Sequence, residues 1–110
     1  MMYGETITNY PEAFGVELVA NLRDPEACYG FDDVRVWRVL ADGSLRWGQD
    51  SGCSCPTPFE DVRSLDGLSV LDDFHKFMDE VNDCWCTFSR SPKRQLALTE
   101  FFAEVRQLIS

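Results

Sequence analysis

The sequence predicts an α+β fold: a three-stranded antiparallel sheet with a short helix and a C-terminal two-helix hairpin packed on one face. Three observations carry this expectation. Apolar residues alternate with period two between residues 14 and 23, an Asp-Gly pair at 42–43 separates two strand-like runs, and the C-terminal part repeats apolar residues at three- and four-residue steps. With 110 residues the chain reads as one domain, 1–110. Its sheet part spans about 12–50, a connector and short helix 51–67, and a helical part 69–109.

In "AFGVELVANLR", Phe14, Val16, Leu18, Ala20 and Leu22 share one face and Glu17, Asn21 and Arg23 the other, as in a half-buried strand. Pro25 and Gly30 mark the loop that follows. In "DVRVWRVLADGSLRWGQD", Asp42-Gly43 suits a two-residue type I′ turn, because both central positions of that turn need positive φ. Such a turn sets Leu40 opposite Leu45 and Arg38 opposite Trp47. The guanidinium would then lie against the indole, a contact worth about 0.5–1 kcal/mol at an exposed site.

After "SGCSCP", Thr57 is a good N-cap, Pro58 suits the first helical position, and Glu60 completes a capping box. A short helix through about Arg63 is expected, stopped by "SLDG" before Leu68. Leu71, Phe74, Met78, Val81 and Trp85 then recur at helical spacing, with Phe77, Cys84 and Phe88 on the same stripe. Ser91 is the expected N-cap of the last helix and Pro92 its first residue. Leu98, Phe101, Phe102, Val105, Leu108 and Ile109 form its expected buried face.

Hydrophobic residues make up 45% of the chain and charged residues 26%, a globular composition. No apolar run reaches the roughly 20 residues a membrane span needs, and "MMYGETITNY" does not read as a secretory signal. The expected location is the cytoplasm. A formal net charge of −9 argues against direct binding to nucleic acid or to anionic membranes. It leaves open a partner that is itself basic, including a protein that normally binds DNA.

The chemistry-bearing feature is sulfur. Cys53 and Cys55 flank one serine in "SGCSCP", and Cys84 and Cys86 flank Trp85 in "CWC". Four thiolates suit tetrahedral zinc, so Cys53, Cys55, Cys84 and Cys86 are the candidate metal ligands. One intervening residue is tighter than the two to four usual in structural zinc sites. If residues 84–86 are helical, steps of about 100° point the two sulfurs apart, Cys84 to the core and Cys86 to solvent. Cytosolic thiols are ordinarily reduced, and a cysteine on an apolar face most often packs as a small hydrophobe. A redox role for Cys53 and Cys55 has a following helix N-terminus in its favour, but Cys55 lies two residues before the cap. His75, the only histidine, sits at the edge of an apolar stripe and reads as a solvent-edge residue rather than a ligand.

No nucleophile elbow, phosphate-binding glycine loop or other catalytic pattern appears, and the paired carboxylates read as solvated surface. No catalytic residue and no cofactor is therefore assigned, with zinc as the alternative.

The run "LRWGQDSGCSCPTPFEDV" (45–62), followed by "SLDGL", resembles a family of small uncharacterised proteins encoded by actinobacterial phages. Trp47, Gly48, Asp50, Ser51, Gly52, Cys53, Ser54, Cys55, Pro56, Pro58, Phe59 and Glu60 match that family's segment, and the likeness spans about residues 34–68. The resemblance implies a phage origin and action in a bacterial cytoplasm; it implies no activity.

The expected function is that of a non-enzymatic, phage-encoded accessory protein that binds a host or phage protein and so acts on host function or defence. The expected interaction loop comprises Trp47, Asp50, Ser51, Cys53 and Cys55. Two alternatives stand beside it. One is a small zinc- or thiol-dependent protein using Cys53 and Cys55. The other is an acidic nucleic-acid mimic that occupies a DNA-binding protein.

Overall fold

The computed structural model describes residues 6–53 and 57–109, an α+β fold with a four-stranded antiparallel meander. The strands are β1 (Val16–Arg23), β2 (Gly30–Val39), β3 (Leu45–Cys53) and β4 (Ser69–Val70), in that spatial order. Two helices follow, α1 (Phe74–Cys84) and α2 (Pro92–Ile109). The sheet thus has four strands rather than the expected three. β4 is two residues long, Ser69 against Trp47 and Val70 against Arg46, too short for a period-two pattern to register.

The alternating stripe of β1 is broken by a bulge. Val16 pairs with Val39 and Leu18 with Trp37, but Ala20 pairs with Val36, so Val19 is the extra residue. A bulge places two residues against one and switches which face the following positions occupy. Val16 therefore packs beside Trp37 and Val39 on one side of the sheet, whereas Ala20 and Leu22 pack beside Val34 and Val36 on the other. Leu18, expected in the stripe, is 44% exposed.

The sheet consequently has two cores. On one face Ala20, Leu22, Val34, Val36, Leu45 and Trp47 meet α1 and α2 through Phe77, Val81, Leu98, Phe101 and Val105. Trp47 stands edge-on to Phe77 at 5.1 Å between centroids. On the opposite face Ile7, Val16, Trp37, Val39, Phe59 and Leu68 form a smaller core, with Trp37 edge-on to Phe59 at 5.1 Å. Both α-helices lie on one face, as expected, and loops with two short 3₁₀ turns, Pro11–Phe14 and Leu65–Gly67, cover the other.

The hairpin forms, two residues out of the expected register. Arg38 faces Leu45, Trp37 faces Arg46 and Val36 faces Trp47. Val39 N–H donates to the Ser44 carbonyl, Gly43 N–H to the Val39 carbonyl, and only Gly43 in the turn has positive φ, at 75°. The loop thus spans residues 40–43, and the Asp42 carboxylate accepts from the Ser44 N–H and hydroxyl. A type I′ turn would need positive φ at Asp42 as well. The expected Arg38–Trp47 contact is replaced by an exposed Arg38–Glu17 ion pair of 3.2 Å. A shift of two preserves the facing of every side chain, so Trp47 still points inward.

The short helix expected from Thr57 does not form. Half of its capping box does: Thr57 N–H donates to the Glu60 carboxylate at 3.4 Å. Phe59, however, has φ 64°, in the left-handed region where an α-helix cannot continue. Tertiary contacts hold it there. Phe59 N–H donates to Asp50 Oδ2 at 2.7 Å, the Thr8 hydroxyl donates to the Pro58 carbonyl, and the Phe59 ring is 2% exposed against Trp37. Residues 58–61 form turns, and a 3₁₀ segment follows at Leu65–Gly67.

Asp73 caps α1 through its carboxylate, accepting from His75 and Lys76 N–H. Ser91 caps α2 as expected, its hydroxyl accepting from Arg94 N–H at 3.3 Å. On α2, Leu98, Phe101 and Val105 are buried, Phe102 and Leu108 partly so, and Ile109 is 44% exposed.

Candidate functional site

β1 ends, β2 begins, β3 ends and α1 meets α2 at the same end of the sheet, the end that carries the cysteine motif. A cavity of about 530 Å³ opens there. Asp24, Glu26, Cys28, Asp32, Cys84 and Arg94 supply its chemistry, and Phe88 one wall.

Asp32 joins the sheet to α1. Its Oδ1 accepts from Gln49 Nε2 and its Oδ2 from Cys86 N–H, both at 2.9 Å, while its carbonyl accepts from Trp85 Nε1–H at 2.8 Å. A buried indole N–H needs a partner, and this carbonyl supplies it. The helix ends at Cys84 because Trp85 is extended and Cys86 takes φ 46°, which turns the chain back toward the sheet. Arg90 satisfies the carbonyls this leaves, donating to those of Asn82 (2.8 Å), Trp85 (2.7 Å) and Cys86 (3.3 Å).

Asp24 and Arg94 form a bidentate pair at 2.9 and 3.1 Å, fixing the β1–β2 loop to the first turn of α2. Burial opposes the Asp24 charge, but the Arg94 hydrogen bond, the Glu26 N–H and the guanidinium charge outweigh it and hold the carboxyl below its usual pKa. The Arg94 guanidinium also lies 4.8 Å from the centroid of the Phe88 ring. On the second face, Asp33 and Arg35 share a buried contact of 3.2 Å. Desolvation dominates there and raises the Asp33 pKa despite Arg35.

The expected site residues disperse. Trp47 is 7% exposed and belongs to the main core. Asp50 spends its carboxylate on the Phe59 and Ser51 N–H groups. Ser51 and Cys53 are exposed at the end of β3, and Cys55 lies outside the described residues. Cys86 does not point to solvent, as a continuous helix would have it; it is fully buried, and Cys84 is partly so. Burial, then neighbouring carboxylates, push the Cys84 thiol up to about 11 and the Cys86 thiol up to about 12. Among the described residues no group of three or more His, Cys, Asp and Glu side chains is placed to hold a metal ion. His75 is exposed beside Phe74.

Asp32, Arg90 and the Asp24–Arg94 pair were not anticipated from the sequence. The accessible signals were Trp85, an indole on a buried stripe that needs an acceptor, and Asp33 with Arg35, two residues apart and so on one face of a strand.

The family model for a domain of unknown function, DUF7574, matches residues 5–107. The chain belongs to that family. The DUF7574 match covers both the sheet and the helices, well beyond the likeness over residues 34–68. Neither a curated protein nor a solved structure matches the chain. Among the described residues, no helix is long and apolar enough to cross a membrane.

Proposed function

We propose that the protein is a non-enzymatic, phage-encoded accessory protein of a bacterial cytoplasm that binds a basic segment of a host or phage protein. The binding surface is the cavity end of the sheet rather than the whole loop 47–55. One observation carries the reading: Tyr29 is 88% and Phe88 73% exposed, two large aromatics on the loops that border the same cavity. Exposed aromatics beside a concave surface are typical binding anchors.

Charge supports a basic partner. Arg35, Arg38, Arg46, Arg90 and Arg94 are hydrogen-bonded within the fold, Arg106 lies over the Phe74 ring, and the described lining of the cavity sets Asp24, Glu26 and Asp32 against Arg94. The phage origin rests on the resemblance of residues 45–62.

Affinity capture from host lysate tests the reading. Wild type should retain a basic protein in low salt and release it as salt rises. The Tyr29→Ser/Phe88→Ser double variant should retain at least tenfold less while keeping its thermal midpoint. Equal retention by the double variant, or nothing above background with wild type, would sink the proposal. Nucleic-acid mimicry has its own support in the exposed carboxylates Asp72, Asp79, Glu80 and Asp83 along and beside α1. It requires DNA to displace the captured partner, and capture that excess DNA does not affect excludes it.

A further inference from the structure

β1 is an outer strand of the sheet, and among the described residues no strand pairs with its far side. Its ladder with β2 decides which backbone groups are turned outward. In an antiparallel pair, hydrogen-bonded positions alternate with non-hydrogen-bonded ones. Val39 N–H donates to the Ser44 carbonyl, which turns the odd-numbered residues of β2 toward β3 and the even-numbered ones toward β1. The bonds from Leu40 N–H to the Gly15 carbonyl and from Asp24 N–H to the Asp32 carbonyl follow the same alternation. Ala20 and Leu22, opposite Val36 and Val34, therefore direct their N–H and carbonyl groups at β2, and those of Asn21 and Arg23 point away from the sheet.

The bulge at Val19 interrupts this outer edge, so its regular stretch is Ala20–Arg23. A cavity of about 290 Å³ runs alongside, lined by Asn21, Leu22 and Arg23 of β1 and by Glu100, Phe101 and Glu104 of α2. The α2 wall is acidic. Glu100 and Glu104 are exposed, one helical turn apart, and among the described residues neither takes part in an ion pair. Like charges at that spacing oppose the helix, and a cation set between them relieves the repulsion.

We propose that the Ala20–Arg23 edge and the Glu100–Glu104 wall together bind an extended, basic segment of another protein by antiparallel strand addition. Two residues of the segment pair with Asn21 and Arg23, each exchanging N–H and carbonyl bonds. The residue between them lies across from Leu22 and shares its face, the one that α2 covers. An arginine there lays its apolar stem along Phe101 and turns its fork to Glu100 and Glu104. Its two neighbours fall on the opposite face beside the exposed Asn21 and Arg23, where uncharged polar side chains fit.

A second copy of the chain does not fit this edge. Pairing β1 with itself brings both sets of Glu100 and Glu104 to one side, between two chains that each carry a formal charge of −9. The argument uses neither Tyr29 nor Phe88, and strand addition at β1 holds even if their cavity binds nothing.

The experiment follows the amide NMR shifts of the full chain as the peptide acetyl-Thr-Thr-Arg-Thr-Thr-amide is added. The expected result is saturable shifts at the Asn21 and Arg23 amides. N-methylation of the two threonines beside the arginine removes the donors the edge needs, and should weaken binding about tenfold or more. N-methylation of the arginine, whose N–H points away from β1, should change affinity less than about twofold. Glutamate in place of the peptide's arginine, or Glu100→Gln/Glu104→Gln in the protein, should weaken binding about fivefold or more. The proposal is overturned by the absence of saturable shifts at Asn21 and Arg23, or by undiminished binding to Glu100→Gln/Glu104→Gln. Equal binding of the two N-methylated peptides would also overturn it, showing ionic contact with α2 and no strand pairing. So would shifts at Asn21 that follow protein concentration without peptide, which would make a second copy the occupant.

Discussion

Asp32 and Cys86 are joined by a 2.9 Å hydrogen bond from the Cys86 N–H to the Asp32 carboxylate, 54 residues apart in sequence. The bond holds a cysteine at φ 46°, a conformation that costs a non-glycine residue about 1–2 kcal/mol. Asp32→Ala removes the acceptor and leaves the Cys86 N–H and the Gln49 amide without it. Each lost charge-assisted bond of this kind costs about 1.5–3 kcal/mol. With both bonds lost, a thermal melt should show a midpoint lower by roughly 13–26 °C. A midpoint within two degrees or so of wild type would show that the turn is held by packing alone.

Arg90 should prove as important to α1 as any apolar residue on its stripe. Its fork reaches the carbonyls of Asn82, Trp85 and Cys86 together, which a lysine ammonium cannot reproduce. Arg90→Lys and Arg90→Ala should both destabilise, by about 1–3 kcal/mol in urea unfolding. Full rescue by lysine would show that the charge at the helix C-terminus, rather than the fork, supplies the stabilisation.

The Asp33–Arg35 pair is buried and incompletely satisfied: among the described residues, Asp33 Oδ1 and Arg35 Nε have no hydrogen-bond partner. Removing one member leaves an uncompensated buried charge, so Asp33→Leu or Arg35→Met alone should cost about 3–5 kcal/mol. The double variant Asp33→Leu/Arg35→Met should recover most of that loss, since a volume-matched apolar pair is often neutral or better. Additive losses in the double-mutant cycle would show that each side chain stabilises independently of the other.

Alkaline pH should weaken the fold through sulfur. Both Cys84 and Cys86 have folded pKa values raised, to about 11 and about 12, above the ordinary thiol value of 9.0. The stability from keeping these thiols neutral is complete below about pH 9 and is lost as pH rises through the folded values. The melting midpoint should fall between pH 9 and 11. Cys86→Ala, whatever its offset at neutral pH, should show a shallower fall. An unchanged slope would assign the alkaline transition to other groups. Asp24 acts oppositely: its lowered pKa makes its contribution complete above the ordinary carboxylate range and lost as pH falls through the folded value.

Where an element could be read from the sequence, its signal was local. Ser91-Pro92 marked the start of α2, and the apolar spacing of Phe74, Phe77 and Val81 marked α1, because both depend on residues within a turn or two. The hairpin was legible for the same reason, but its register was not. Leu40 N–H donates to the Gly15 carbonyl at 2.9 Å, and β1 thereby helps fix where the ladder ends. The Thr57 capping box was a real local signal, half satisfied in the fold, and it lost to Asp50 and to the space over Trp37.

The candidate site was barely legible. "SGCSCP" and "CWC" drew attention to sulfur, whereas the cavity is organised by Asp32, Asp24 and Arg94, scattered across β2, a loop and α2. Cys84 and Cys86 were expected to diverge from a helix, yet Cys86 is buried because the helix stops before it.

By itself the sequence determined the α+β class, the antiparallel hairpin, the two C-terminal helices and the inward placement of Phe77, Val81, Leu98, Phe101 and Val105, since periodicity and capping act between near neighbours in the chain. It did not determine the placement of Phe88 and Ile109, which are exposed. Tertiary structure decided the bulge at Val19, the second core under Phe59, the end of α1 and the pairing of Gly30 with Cys53. Each is set by groups dozens of residues away, whose burial and hydrogen bonding outweigh preferences worth at most about 1 kcal/mol per residue.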